Sequence, residues 1–195
     1  MTGQEGRTTK ERVLDAVFAL VVRGGLSEAS LRKVAEESGV NIGSVRHCFS
    51  SHTGLMAAAA DEVGDRMERR LRPVLEQGAQ LQGLRARRDF LEEIALALLP
   101  PDPEDRDELV VLCEFITAAR IHPEFWPAAV RMGNDMRSVL SQALVLAGVE
   151  ESELECERLV ALIDGLTFEL VYPHGSPDDG ECGDVLRHHL TALVR

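Results

Sequence analysis

Residues 30–55, SLRKVAEESGVNIGSVRHCFSSHTGL, carry two short helical patterns separated by a glycine. Ser30 suits the N-cap of the first, since its oxygen can accept from amides of the opening turn, and Leu31, Val34 and Ala35 recur at helical spacing. Gly39 follows them, and a residue without Cβ is the usual left-handed stop of a helix. Asn41 is a second N-cap, after which Val45 and Phe49, with Val40 before them, are placed to pack inward while Asn41, Ser44, Arg46 and His47 point out. The spacing therefore predicts a helix-turn-helix. Its second helix, apolar behind and polar and partly basic in front, is of the kind that lies in the major groove with its first turns at the base edges. A helical hairpin within an ordinary core is the competing reading of the same pattern.

The flanks favour the first reading. Thr8 and Glu11 have capping-box spacing ahead of a helix with apolar positions Val13, Ala16, Val17, Leu20 and Val21, and Gly24-Gly25 ends it. Three helices of this length make a small DNA-binding head. The net charge of −12 argues against a nucleic-acid protein until its distribution is considered. Residues 1–56 hold seven Lys/Arg against six Asp/Glu, and the remainder hold fourteen against twenty-seven. Arg7, Lys10, Arg12, Arg32, Lys33 and Arg46 cluster in the near-neutral head, where they can neutralise phosphates, and an acidic body would be turned away from the duplex.

The rest reads as helix throughout, with neither β alternation nor repeats. An Ala-rich helix is predicted from Thr53 to Pro73, then a linker punctuated by Gly78 and Gly83, then a helix through Phe90, Leu91, Ile94 and Leu98 that stops at Pro100-Pro101. Asp102 as N-cap, Pro103 at the first helical position and Glu104, Asp105 and Asp107 in the first turn open another, running to about His122. Pro123 starts a helix through Met132, Met136, Val139, Leu140 and Leu144 that ends at Gly148. Ser152 and Glu155 have capping-box spacing for a helix reaching Tyr172-Pro173, and a loop, HGSPDDGECGD, precedes a last helix bearing Val185, Leu186, Leu190 and Leu193. The expected fold is all-α: a three-helix head and a helical body, about nine helices in all.

The run from Arg7 to Leu55, with LRKVAEESGV, GSVRHCF and the Leu-bearing helix that follows, resembles the TetR (tetracycline-repressor) family of bacterial transcriptional regulators. Beyond Leu55, AARIHPEF and ALIDGL are similar to the C-terminal domains of such regulators. The resemblance implies a DNA-binding domain over 1–53, an effector-binding and dimerisation domain over 54–195, and a repressor released from a palindromic operator by a small, largely apolar ligand. Candidate DNA contacts are Thr8, Lys10, Ser30, Arg32, Lys33, Asn41, Ser44, Arg46, His47 and His52. Arg32 and Lys33 suit phosphate; Ser44, Arg46 and His47 suit the groove. Arg46, His47 and Cys48 stand where many relatives have two aromatics and a histidine, and His52 where a lysine commonly opens the fourth helix.

In the body, Phe90, Cys113, Thr117, Trp126, Met132, Met136, Phe168 and Tyr172 are candidates to line a ligand pocket, since Met and aromatic side chains suit adaptable apolar sites. The last two helices carry more apolar residues than one core-facing stripe requires. In proteins of the resembling family these helices pair with their symmetry mates, so a homodimer is expected, with Ala161, Gly165, Phe168, Leu186, Leu190 and Leu193 at the interface. Ligand binding in the body would shift head spacing through the helix from Thr53.

Catalysis is not expected. Adjacent His188 and His189 cannot share a helix face as metal ligands, DDGECGD lacks the spacing of a calcium loop, and neither a P-loop nor a nucleophile elbow is present. No catalytic residue, metal or cofactor is assigned. Cys48, Cys113, Cys156 and Cys182 lack CxxC spacing and fit a reduced cytosol; the polar N-terminus and the lack of a long apolar run predict a soluble, cytoplasmic protein without a membrane partner. A helical protein-interaction module with a non-reading head remains the alternative.

Overall fold

The computed structural model describes residues 8–100, 106–173 and 179–194, with side chains of the last segment from Cys182 onward. Among them are the helices α1 (Thr9–Gly24), α2 (Leu31–Ser38), α3 (Ile42–Phe49), α4 (His52–Gln77), α5 (Gly83–Leu98), α6 (Asp107–Ala119), α7 (Trp126–Leu146), α8 (Ser152–Val171) and α9 (Asp179–Leu193). No strand occurs among the described residues, and 3-10 turns lie at Leu26–Glu28, Gly78–Gln80 and Pro123–Phe125. The fold is the expected all-α one, a helix-turn-helix head followed by a helical body.

The chain packs as two compact units. One comprises Met1–Val63 together with Val110–Ala129, the other Gly64–Leu109 together with Val130–Arg195. The chain passes from one unit to the other within α4, returns within α6 and passes over again within α7. In the first unit α1 opens with the capping box: Thr8 Oγ1 accepts from the Glu11 amide at 3.2 Å, and Glu11 Oε2 accepts from the Thr8 amide. Val13, Val17, Val21, Val34, Val45, Phe49, Leu55, Met56 and Phe115 are all buried there. Phe115 meets Phe125 edge-on with ring centroids 5.6 Å apart, a favourable aromatic geometry.

In the second unit, Leu71, Phe90, Leu91, Ile94, Leu140, Leu144, Leu159, Ile163, Leu186 and Leu190 form the buried set. Gly78 is buried where a Cβ would fall 2.8 Å from Leu146 Cδ1 and from Phe90 Cζ, so only glycine lets the chain turn that close to α5 and α7. Several boundaries differ from the sequence expectation. α4 continues through Pro73 to Gln77, losing one backbone hydrogen bond but keeping Leu71 and Val74 in the core on either side. Ser152 is the first helical residue of α8 rather than its cap. Glu151 caps the helix with φ 52° and without a side-chain bond, and the Glu155 carboxylate instead meets Arg158 Nη1 at 2.7 Å. α9 begins at Asp179, so GECGD is helical, not loop. α6 ends at Ala119, three residues early, as the residue before Pro123 is driven out of helical geometry. Asp102, Pro103, Glu104 and Asp105 lie outside the described residues, as does Arg7.

Candidate nucleic-acid interface

The turn between α2 and α3 is built from local chemistry. Ser30 Oγ accepts from the Lys33 amide at 3.3 Å, Gly39 closes α2 with φ 63°, and Asn41 Oδ1 accepts from the Ser44 amide at 2.9 Å. A distant side chain completes it: Arg12 Nη2 on α1 donates to the Ser38 carbonyl oxygen at 2.7 Å, satisfying an orphan acceptor at the negative end of α2. Val45 and Phe49 are buried, while Asn41, Arg46, His47 and Cys48 are exposed and Ser44 is half-buried. α3 is thereby held against α1 and α2 by one face with the other open.

The structure sorts the expected contacts. Lys10, Arg32, Arg46 and His47 are exposed on the first unit and form no ion pair among the described residues. They offer their full charge or donor capacity to a ligand. Asn41 keeps its amide nitrogen for a partner, because its oxygen serves the cap. Lys33 forms an ion pair with Glu28 at 2.5 Å, so a phosphate would have to compete for it. Ser30 retains only its hydroxyl proton for a partner. Thr8 is changed more: its amide and hydroxyl both donate to Glu11 Oε2, at 2.6 and 3.0 Å, which leaves no proton for phosphate. Arg12 is likewise engaged, since its Nη2 is committed to the Ser38 carbonyl. His52 is exposed, yet its Nε2 lies 3.1 Å from the Ala29 carbonyl oxygen, and when it donates there only Nδ1 is left for DNA. The sequence pattern also missed Ile42, which is exposed at the first position of α3.

The body candidates fall on both units: Cys113, Thr117 and Trp126 on the first, Phe90, Met132, Met136, Phe168 and Tyr172 on the second. Phe90 is core, packed at Gly78. Trp126 is 62 % exposed, and Phe168, 53 % exposed, has its ring 5.2 Å from that of Tyr172. Cys113, Met132, Met136 and Tyr172 are half-buried and Thr117 exposed. The interface candidates divide as well. Leu186 and Leu190 are buried in the second unit, where α9 packs on α5 and α8. Leu193 is half-buried. Ala161, Gly165 and Phe168 are exposed on one face of α8, and nothing lies within 4 Å of a Cβ built on Gly165. Leu154 on the same face and Val185 on α9 are exposed too and were not foreseen.

Between α8 and α9, His189 Nε2 stands 3.9 Å from Glu155 Oε2, and both atoms are buried without a hydrogen bond. Burial holds the imidazole below the ordinary histidine range, with Arg158 and His188 acting the same way and Glu155 opposing them. Burial likewise raises the Cys156 thiol. The four cysteines are free, Cys48 being exposed. Among the described residues no group of three or more His, Cys, Asp or Glu is arranged to hold a metal, and no helix is long and apolar enough to cross a membrane.

A capped, one-face-buried helix held by two others, followed by an all-helical body, defines a helix-turn-helix DNA-binding regulator. Residues 87–195 match the family described as BetI-type transcriptional repressor, C-terminal, and the chain belongs to this branch of the TetR-family transcriptional regulators. It is 27 % identical over 193 residues to the HTH-type transcriptional regulator PksA of Bacillus subtilis, covering 94 % of this chain and 89 % of that protein. It is 23 % identical to the HTH-type nicotine-responsive transcriptional repressor HdnoR of Paenarthrobacter nicotinovorans, covering 82 % of each. The crystal structure of a transcriptional regulator from Rhodococcus sp. Rha1 superposes with a TM-score of 0.81 at 27 % identity, over 95 % of this chain and 96 % of the other. The multidrug binding protein EbrR, in its imidazole complex, shares the fold with a TM-score of 0.65 at 22 % identity over 94 % and 95 % of the two chains. The protein is a DNA-binding transcriptional regulator of a family of regulators, not of enzymes.

Proposed function

We propose that the chain is a homodimeric repressor that reads a near-palindromic operator through α3 and leaves it when a small, largely apolar ligand binds the body. The observation that carries this reading is the front of α3: Asn41, Arg46 and His47 are exposed and Arg46 has no ion pair among the described residues, on a helix whose back is buried. Residues 1–53 supply the DNA contacts and 54–195 the effector and dimer functions. Arg46 and His47 donate to base edges, with Asn41 and Ser44 beside them. Lys10, Arg32 and, in competition with Glu28, Lys33 meet phosphates, and Ser30 and His52 offer one donor each. A nicotine-responsive repressor and a multidrug binding protein among the similar proteins support a small-molecule effector. Met132, Met136 and Tyr172, half-buried on the second unit, are the side chains offered to it.

The dimer forms through the exposed face of α8, Leu154, Ala161, Gly165 and Phe168, with Val185 of α9. Two small residues in its middle permit close helix approach. A twofold dimer places its reading helices about 34 Å apart or a multiple of that. Such a regulator acts in the cytoplasm, where the chromosome is. Selection of duplexes bound by the full chain from a random library tests the reading. The expected yield is a symmetric pair of half-sites, lost in the Arg46→Ala/His47→Ala double variant; recovery of no preferred duplex would overturn it.

A further inference from the structure

Ile42 is 41 % exposed, and it is the one large apolar side chain left exposed among the described residues up to Val63. It sits directly after the Asn41 cap, at the first position of α3, one turn ahead of Arg46 and on the open face. Gly43 follows it. A Cβ there would come 3.2 Å from Asn41 Oδ1, crowding the cap, and the missing side chain leaves the edge beside Ile42 clear for a close neighbour. The first turn of a reading helix is the part that reaches base edges, and a branched hydrocarbon has no hydrogen bond to offer them. The one apolar feature of the major groove is the 5-methyl group of thymine.

We infer that Ile42 packs on a thymine methyl in each half-site, making it a specificity-determining residue that selects T·A at that position while Arg46 and His47 read polar edges nearby. This rests on the proposed operator reading. Burying one methyl stabilises by about 0.8 kcal/mol, or about fourfold in affinity per half-site. The test uses the full chain on its selected operator, with each thymine replaced in turn by deoxyuridine, which removes only the methyl. The expected result is one thymine per half-site whose replacement weakens the wild type about fourfold and leaves Ile42→Ala unaffected, with Ile42→Val between them and helical circular dichroism unchanged in both variants. Equal sensitivity of wild type and Ile42→Ala at every thymine would overturn the inference while leaving the operator reading standing. So would an Ile42→Ala loss independent of the methyl. Failure of the wild type to prefer any duplex would overturn both.

Discussion

Replacing Arg12 with alanine separates two roles that sequence alone assigns to the same cation. Arg12 Nη2 donates to the Ser38 carbonyl at 2.7 Å, a partly buried bond across 26 residues, and Gly39, whose Cβ would lie 3.4 Å from Nη2, leaves room for it. A hydrogen bond to a charged group contributes about 1.5–3 kcal/mol, and a cation at a helix C-terminus adds about 0.3–1 kcal/mol. Because the site is partly open to water, the lower half applies: Arg12→Ala is expected to destabilise the protein by about 2 kcal/mol. At a urea slope of about 2 kcal/mol/M the unfolding midpoint would fall by about 1 M at fixed protein concentration. A phosphate ligand behaves otherwise. Each neutralised phosphate contributes about 0.9 to the slope of log affinity against log salt, so its loss would lower that slope in every half-site with the urea midpoint unmoved. Circular-dichroism urea titration and operator-binding anisotropy across a salt series read the two quantities independently. An unchanged midpoint with a reduced salt slope would refute the structural assignment.

Gly78→Ala places a methyl 2.8 Å from Phe90 Cζ and Leu146 Cδ1, and overpacking of that kind is expected to cost about 1–3 kcal/mol by urea unfolding. His189, held neutral by burial, binds its proton more weakly folded than unfolded. Between its lowered folded value and the ordinary value near 6.5 the unfolded chain therefore carries the extra proton, so this residue's contribution is present at neutral pH and lost as pH falls through that window. His189→Gln should flatten the fall in stability between pH 7.5 and 5.5, and an unaltered pH profile would refute this. Phe168→Glu, on the open face of α8, should leave the fold intact, shift the sedimenting species to one-chain mass and weaken operator binding at least tenfold. A variant that stays dimeric would exclude that face.

What was legible in the sequence is what neighbours decide. The caps at Thr8, Ser30 and Asn41 and the stop at Gly39 each depend on residues within three or four positions, and all four are in place. Arg12 was read as a free cation because Ser38 lies 26 residues away, and Lys33 because nothing in a helical wheel points to Glu28 in the preceding turn. The Ser152–Glu155 capping box has correct spacing and still does not form. Arg158 takes the carboxylate, and His189 stands over it from a helix more than thirty residues on. The apolar stripe of α9 is legible, but not how each of its residues is covered within the chain: Leu186 and Leu190 are buried in their own unit, while Val185 and the α8 face around Gly165 are exposed. Ile42 escaped notice because an apolar residue next to a cap is normally a core residue.

The first unit's second segment has a practical consequence for anyone recombining regulators. Val110–Ala129 clusters with the N-terminal helices; Phe115 is buried there, and Glu114 Oε2 accepts from the Leu26 amide at 3.4 Å while a Cβ on Gly25 would meet the same oxygen at 3.0 Å. A chimera that joins this head to a foreign body at residue 53 would strip away the underside of its own scaffold and leave apolar surface uncovered. A transplant should carry the α6 stretch with it, so that the reading specificity of one regulator is moved as a folding unit assembled from two separate pieces of chain.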